Sequence, residues 1–246
     1  MKTLEILLKR ILSVTLLRNL WKIVSPWLFC GNDRYCAVCR RHFRRFLTRR
    51  GREYRCPVCF SEPRHRNAII CLDKHAPLFS STVPHRVLHV APELCMMDFF
   101  LSLPNIAYIS IDLSSRLARK KMDLRQLQFP DKHFDFIYCS HVLEHIREDH
   151  QAISELFRVL KIGGTALIMV PIRVGPTIED TSVTDPEERR RLYHHPGHVR
   201  CYGNDFKERL EAVGFQVVQQ VTTTELSEAE HPRHGINSEP LFLCTR

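Results

Sequence analysis

Four of the ten cysteines stand as two pairs, Cys36-x2-Cys39 and Cys56-x2-Cys59, with sixteen residues between the pairs. A CxxC turn presents two thiolates to one ion, and two such turns complete the tetrahedron that zinc takes. A segment this short buries too little core to fold alone, so a structural zinc would supply the missing stability. Cys30, His42, His65, Cys71 and His75 are nearby reserve donors, outranked by the regular pairs. The other cysteines are scattered in mostly apolar surroundings, which favours a reducing compartment, the cytoplasm, over a disulfide framework. Histidines make the second group able to do chemistry. His141 and His145 bracket the acidic turn SHVLEHI, and His194, His195 and His198 crowd one short piece with Arg200. His141, directly after a strand, and His198 are the candidates for catalytic work by proton transfer. His145 reads as structural.

These side chains need a frame, and the stretch from Phe134 to Pro171 supplies its centre. FDFIYC is a short β-branched and aromatic run, the pattern of a buried strand. Ala152, Ile153, Leu156, Phe157 and Leu160 then lie on one stripe of a helix of period 3.6. Asp149 is expected to cap that helix, and Gly163-Gly164 to stop it in a left-handed turn. TALIMV follows as a second buried strand. Strand, helix and strand with short joints imply a right-handed parallel crossover, the unit of a doubly wound sheet. RVLHV at 86–90 and AYISIDL at 107–113 are further strands, and LFLCT near the end is a closing one.

FDFIYCSHVLEHI followed by ELFRVLKIGG closely resembles the fourth strand, acidic turn and following helix of the class I S-adenosylmethionine-dependent methyltransferases. The resemblance covers roughly residues 86–246. It implies an α/β fold: a Rossmann-like seven-stranded methyltransferase sheet with helices on both faces, its last strand antiparallel, here preceded by a small zinc ribbon. It implies S-adenosyl-L-methionine as cofactor, held by Ala91, Pro92, Glu93, Asp112, Leu113, Asp123, Leu124 and Ser140. Asp112, at a strand end about twenty residues past the first loop, is placed to accept from both ribose hydroxyls. Asp123 would accept from the adenine amine while Leu124 covers the ring, and Glu93 would meet the amino group of the methionine moiety. The family's first loop is rich in glycine; here it reads Ala91-Pro92-Glu93-Leu94-Cys95 and contains none. Some methyltransferase-like bacterial proteins pair a Cys-rich N-terminal segment with a similar LHxAPE loop, and the related proteins carry an HVR-x-YG segment like that at 198–203.

Charge is unevenly placed. Residues 1–75 hold 17 Lys+Arg against 5 Asp+Glu, while the other 171 residues hold 19 against 22. The basic third should favour a polyanion, either nucleic acid or an anionic membrane surface. Residues 1–29 mix Leu, Ile, Trp21 and Trp27 with spaced Lys and Arg. That composition suits a helix lying in the membrane interface, peripheral to its inner face, or one packed on the protein's own body. It has neither the unbroken apolar core nor the cleavage site of a signal peptide, and no run of 18 apolar residues spans a bilayer. Between the CxxC pairs, RRHFRRFLTRRGREYR interleaves cations with aromatics, which can bind phosphate and stack on bases.

The expected organisation is a basic N-terminal segment over 1–29, a zinc-ribbon-like module over 30–75, a linker over 75–84 and a methyltransferase domain over 84–246. The long polar stretch 172–203 is expected to cover the active site and choose the acceptor. NDFKERLEAVGFQVVQQV reads as the last helix, capped by Asn204 or Asp205 and stopped by Gly214, and the sixth strand. Three functions fit. One is a methyltransferase for an O, N or C acceptor on a small molecule, lipid or glycan. Another is an RNA methyltransferase whose ribbon holds the substrate. The third is a catalytically silent binding protein that keeps the fold.

Overall fold

In the computed structural model, residues 19–75, 82–221 and 224–246 are described. Most of the N-terminal segment, residues 1–18, and most of the linker lie outside them. The chain forms two compact units, one reaching to Ile69 and taking in Leu226–Asn237, the other comprising Ile70–Glu225 and Ser238–Arg246.

The small unit opens with helix α1, residues 19–28. Two antiparallel hairpins follow, β1 (Arg34–Cys36) with β2 (Arg41–Phe43) and β3 (Leu47–Arg49) with β4 (Arg52–Arg55). Arg50 and Gly51 join the second hairpin with φ of 50° and 77°, the double left-handed turn that matches strand twist. Helix α2 (Pro63–His75) starts in this unit. Its Arg66 is fully buried, lies 4.2 Å over the Phe46 ring, and donates to the carbonyls of Ser61, Tyr54 and Gly235. Asn67 likewise donates to Asn237 at 2.9 Å. Residues 226–237, expected inside the methyltransferase domain, thus pack with the ribbon because two α2 side chains bind their backbone.

The large unit is built on a seven-stranded sheet. Its strands are β5 (His85–Val90), β6 (Ile106–Asp112), β7 (Lys120–Lys121), β8 (Phe134–Ser140), β9 (Leu160–Met169), β12 (Gln216–Val221) and β13 (Pro240–Thr245), in the order β12-β13-β9-β8-β5-β6-β7. The four pairs from β9 to β7 are parallel, whereas β13 runs antiparallel to both β9 and β12. Helices α3 (Leu94–Leu101), α4 (Asp149–Val159) and α6 (Phe206–Glu211) accompany the sheet. Ala152, Ile153 and Leu156 of the expected stripe are buried, joined by Val159, in a core with Leu88, Ile137, Ile168 and Phe242, while Phe157 is only partly buried.

Several expected signals are used differently. Helix α4 stops before the glycine pair: Leu160 turns extended and already begins β9. Gly163, with φ of 73°, lies where β9 slips against β8 between Phe134↔Leu160 and Phe136↔Thr165. Asp149 makes no cap; its carboxylate accepts from Tyr202 at 2.7 Å and Arg209 at 2.9 Å. Asp205 likewise turns away from α6, and its Oδ1 accepts from the Thr177 amide and hydroxyl. Asp149 keeps one adjacent amide, that of His150 on Oδ1, and gives Oδ2 to the remote donors, whereas Asp205 gives its Oδ1 to Thr177.

The stretch 172–203 folds. Its β10 (Ile178–Glu179) pairs antiparallel with β11 (Arg200–Cys201), and α5 (Pro186–Tyr193) is capped by Asp185, which accepts from the amides of Glu187 and Glu188. Arg200 is fully buried. It donates to the carbonyls of Leu143, Ile146 and Arg147 and forms an ion pair with Glu179 at 2.5 Å. Gly203 follows, and a Cβ there would fall 2.1 Å from the Gly175 oxygen and 2.3 Å from the Pro176 carbonyl carbon. Gly203→Ala is therefore expected to cost about 1–3 kcal/mol, toward the upper end because backbone must move. Thermal unfolding should show a drop of several degrees; an unchanged midpoint would contradict this packing.

Candidate active site and metal centre

Where the strand order reverses, at the carboxyl ends of β5, β6 and β8, the sheet leaves a cleft of about 550 Å³. That volume suits a drug-sized ligand, and the position is where open α/β sheets bind theirs. Ala91, Asp112, Leu113, Asp123, Leu124 and His141 all line it. Two residues on its wall hold left-handed backbone without being glycine, Ala91 with φ of 50° and His141 with φ of 55°. The glycine-free loop thus keeps a backbone turn that glycine adopts more readily, and its amide stays tied to the Ile111 carbonyl at 2.8 Å. Such strain clusters at functional sites.

Asp112 ends β6 with its carboxylate oriented by backbone. Its Oδ1 accepts from the amides of Ser114 and Ser115 at 2.7 and 2.6 Å, while Oδ2 has no partner among the described residues. Next to it Leu113 is an apolar side chain 69% exposed. A free carboxylate oxygen beside an uncovered apolar side chain fits the ribose and base of a nucleoside. Asp123 is gripped by Arg125, whose Nη2 approaches Oδ2 at 2.7 Å and whose Nη1 reaches Glu148 at 2.6 Å. That grip holds the Asp123 carboxyl below its usual range.

Three of the expected cofactor residues lie outside the lining. Pro92 is buried. Glu93 turns to His89, which is fully buried and also meets the Tyr108 hydroxyl at 3.0 Å. Ser140 is buried, and its Oγ lacks a hydrogen-bond partner among the described residues.

The two catalytic candidates are not brought together in one group. His141 sits between carboxylates, 3.2 Å from Glu144 and 3.1 Å from Glu239. Burial alone would lower its pKa, but the two carboxylates outweigh it and raise it to about 9. An imidazolium at neutral pH donates and orients; it does not take a proton. His198 instead joins His145 and His195, and burial lowers its pKa. Glu144, buried to 1% exposure, was not singled out in the sequence. The only signal for it is its place three residues after His141.

In the small unit the four cysteines converge, all four sulfurs lying within 4.8 Å of one another. Cys36 and Cys59 are 3.7 Å apart, as are Cys39 and Cys56. Four thiolates about 2.3 Å from one zinc stand close to 3.8 Å apart, so the spacing fits, and it is far too long for a disulfide. Each pair closes one turn of the same kind: the Arg40 amide donates to the Cys36 carbonyl and the Phe60 amide to that of Cys56. Arg40 and Phe60 both take left-handed φ, 54° and 61°. Burial pushes the Cys36 thiol up, but hydrogen bonds from the other three cysteines and Ser61 outweigh it and hold it well below the usual range. Cys56 is pushed up, by burial first. Trp21 packs on this unit, donating to the Pro57 carbonyl at 2.7 Å and stacking on Phe60.

Comparison with known proteins agrees with this geometry. Residues 101–168 match the family described as "Methyltransferase domain". A Mycolicibacterium smegmatis protein described as a "Probable S-adenosylmethionine-dependent methyltransferase" is 30% identical over 95 residues, covering 39% of this chain and 34% of that protein. The chain thus matches about a third of the length of this curated relative. The crystal structure of a SAM-dependent methyltransferase from Archaeoglobus fulgidus superposes with a TM-score of 0.51 at 16% identity, over 76% of this chain and 95% of that one. Residues 101–168 are similar to the methyltransferase-domain family, and the sheet they help to build has the Rossmann-like methyltransferase fold.

Proposed function

We propose that the protein is an S-adenosylmethionine-dependent methyltransferase working at an anionic membrane surface, on a small-molecule, lipid or glycan acceptor. The observation that carries the first part is Asp112, a residue of the cleft lining with one carboxylate oxygen pinned by two amides and the other without a partner among the described residues. Asp112 would hold the ribose, Leu113 and Leu124 the base, and the strained turn at Ala91 would let backbone approach the cofactor. When bound, the cofactor supplies an electrophilic methyl group. The protein's part is then placement, because transfer from a sulfonium demands an acceptor held in line. His141, an imidazolium on the cleft wall with its two ring nitrogens turned to Glu144 and Glu239, would set a positive charge beside the acceptor and hold both carboxylates in place.

The membrane part rests on α1. Leu20, Ile23, Val24, Trp27 and Leu28 recur at i, i+3, i+4, i+7 and i+8, and all five are exposed, Trp27 to 82%. An uncovered apolar stripe beside a basic module is the composition of an interfacial helix. A second reading, RNA as acceptor, is favoured by Arg40, Arg41, Arg44, Arg45, Arg50 and Arg52, all exposed on the ribbon. Among the described residues no helix is long and apolar enough to cross a membrane.

The cofactor assignment is tested by calorimetry with S-adenosylhomocysteine. Asp112→Ala should weaken binding about tenfold to a hundredfold, since each charge-assisted hydrogen bond contributes about 1.5–3 kcal/mol. Wild-type protein that binds none would leave the silent binding module in its place. For the membrane, Ile23→Glu with Trp27→Glu should abolish flotation with phosphatidylserine vesicles. Flotation that persists, or retention of RNA instead of vesicles across a salt series, would favour the second reading. We also propose a structural zinc on Cys36, Cys39, Cys56 and Cys59. Elemental analysis should find a tightly held zinc that Cys36→Ser releases, with loosening confined to the small unit; a zinc-free wild-type ribbon would refute it.

A further inference from the structure

At the rim of the cofactor cleft three imidazoles from two parts of the chain converge. His145 ends the short turn Leu143–His145 after β8, and it lines the cleft. His195 and His198 come from the loop after α5. Their ring centroids are 4.6 Å apart for His195 and His198, 4.8 Å for His145 and His198, and 5.5 Å for His145 and His195. One ring nitrogen from each lies within 4.8 Å of the other two.

The backbone fixes which nitrogens can bind. His145 Nδ1 lies 3.0 Å from the Gly197 carbonyl, and His198 Nδ1 lies 3.1 Å from the Tyr193 carbonyl. A carbonyl only accepts, so both Nδ1 atoms carry the proton and both Nε2 atoms keep a free lone pair. A backbone carbonyl on the remote nitrogen is how metal-ligating histidines are generally oriented. His195 is held the other way, its Nδ1 accepting from the Gly197 amide at 3.0 Å. Its lone pair is on Nδ1, and coordination would exchange that exposed hydrogen bond for an ion. Glycine at 197 eases this approach. A Cβ there would lie 3.2 Å from His145 Nδ1 and 3.3 Å from the His195 ring.

Three neutral nitrogen donors suit a borderline-soft divalent ion rather than magnesium or calcium. Nitrogens about 2.0–2.1 Å from one zinc stand roughly 3.4 Å apart, so the rings need close by little more than an ångström. The buried carboxylate of Glu144 sits in the same turn, and its negative charge acts on His198.

We propose that His145, His195 and His198 form a site for one divalent transition-metal ion, zinc by preference, at the rim of the cofactor cleft. Three protein ligands leave a fourth position for a ligand, the pattern of a reactive rather than a structural zinc. There the ion would take an oxygen or nitrogen of the methyl acceptor and favour its deprotonated form. That role rests on the methyltransferase reading, whereas the metal site does not.

The test uses the full chain with its ribbon metal in place. Equilibrium dialysis against micromolar zinc sulfate, with metal counted by mass spectrometry, should give wild-type protein one ion per chain more than the triple variant His145→Ala, His195→Ala, His198→Ala. Each single replacement should weaken that extra ion by at least about a hundredfold. His194→Ala, in the same loop, should keep it. Cobalt loaded in place of the exchangeable ion should show visible bands without sulfur charge transfer, which separates this site from the ribbon. Equal metal counts in wild type and triple variant overturn the proposal. His195→Ala alone decides the matter if the other variants fold poorly, since that side chain is exposed on a loop. S-adenosylhomocysteine binding is measured on the same samples. Cofactor binding without the extra ion refutes the metal site alone, and the extra ion without cofactor binding confirms the site and refutes its catalytic role.

Discussion

The large unit depends on one buried cation. The turn from His141 to Glu148 closes only the Val142 and Leu143 carbonyls with its own amides, from His145 and Ile146, and it must still form a wall of the cleft. Arg200 donates to the carbonyls of Leu143, Ile146 and Arg147. A guanidinium is suited to this because its planar fork reaches several acceptors at once and stays charged. Its charge is balanced by Glu179 at 2.5 Å and Asp149 at 3.6 Å, and Arg209 and Tyr202 complete the hydrogen bonds of those carboxylates. Removing Arg200 would take this donor from the turn's carbonyls, at about 1–3 kcal/mol for each buried group left unmet. The network ties the stretch 172–203 to the turn that carries His141, Glu144 and His145, so the site's geometry is set from outside that turn.

Strain is the second constraint on the cleft. Ala91 and His141 both hold left-handed backbone at the carboxyl ends of neighbouring parallel strands. Each is pinned by an amide reaching across to the adjacent strand, Ala91 to Ile111 and His141 to Met169. Sheet register therefore imposes the turn that glycine would have adopted at lower cost. At His141 it also carries the side chain to a place between Glu144 and Glu239, where it stays charged.

The small unit meets the same shortage of core by other means. Phe43 and Phe46 pack edge to face at 4.9 Å, and Arg66 lies over Phe46 while binding three carbonyls. Around so few apolar residues the four cysteines join the Arg34–Glu53 ion pair in tying the two hairpins together. Their crowding favours a cation over four neutral thiols.

The sequence by itself determined the strands β5, β6, β8 and β13, the buried face of α4, the four-cysteine cluster and the place of Asp112. These follow from periodicities of 2 and 3.6 and from close spacing, which are local properties of the chain. It also showed that 171 residues carry the sheet while the basic third stands apart in charge. Only tertiary structure decided what depends on residues distant in the chain. Asp149 and Asp205 read as caps, yet Tyr202, Arg209 and Thr177 supply stronger partners from 28 to 60 positions away. Glu93 read as a ligand for the cofactor, yet a buried histidine on β5 claims it. Residues 226–237 read as part of the sheet domain, yet Arg66 and Asn67 bind them from about 170 positions away. His145 read as structural, and its closeness to His195 and His198 is visible only once Arg200 has drawn the two loops together. A sequence records which groups want partners; which partner each takes is set by the fold, because burial makes an unmet charge or donor costlier than a broken local preference.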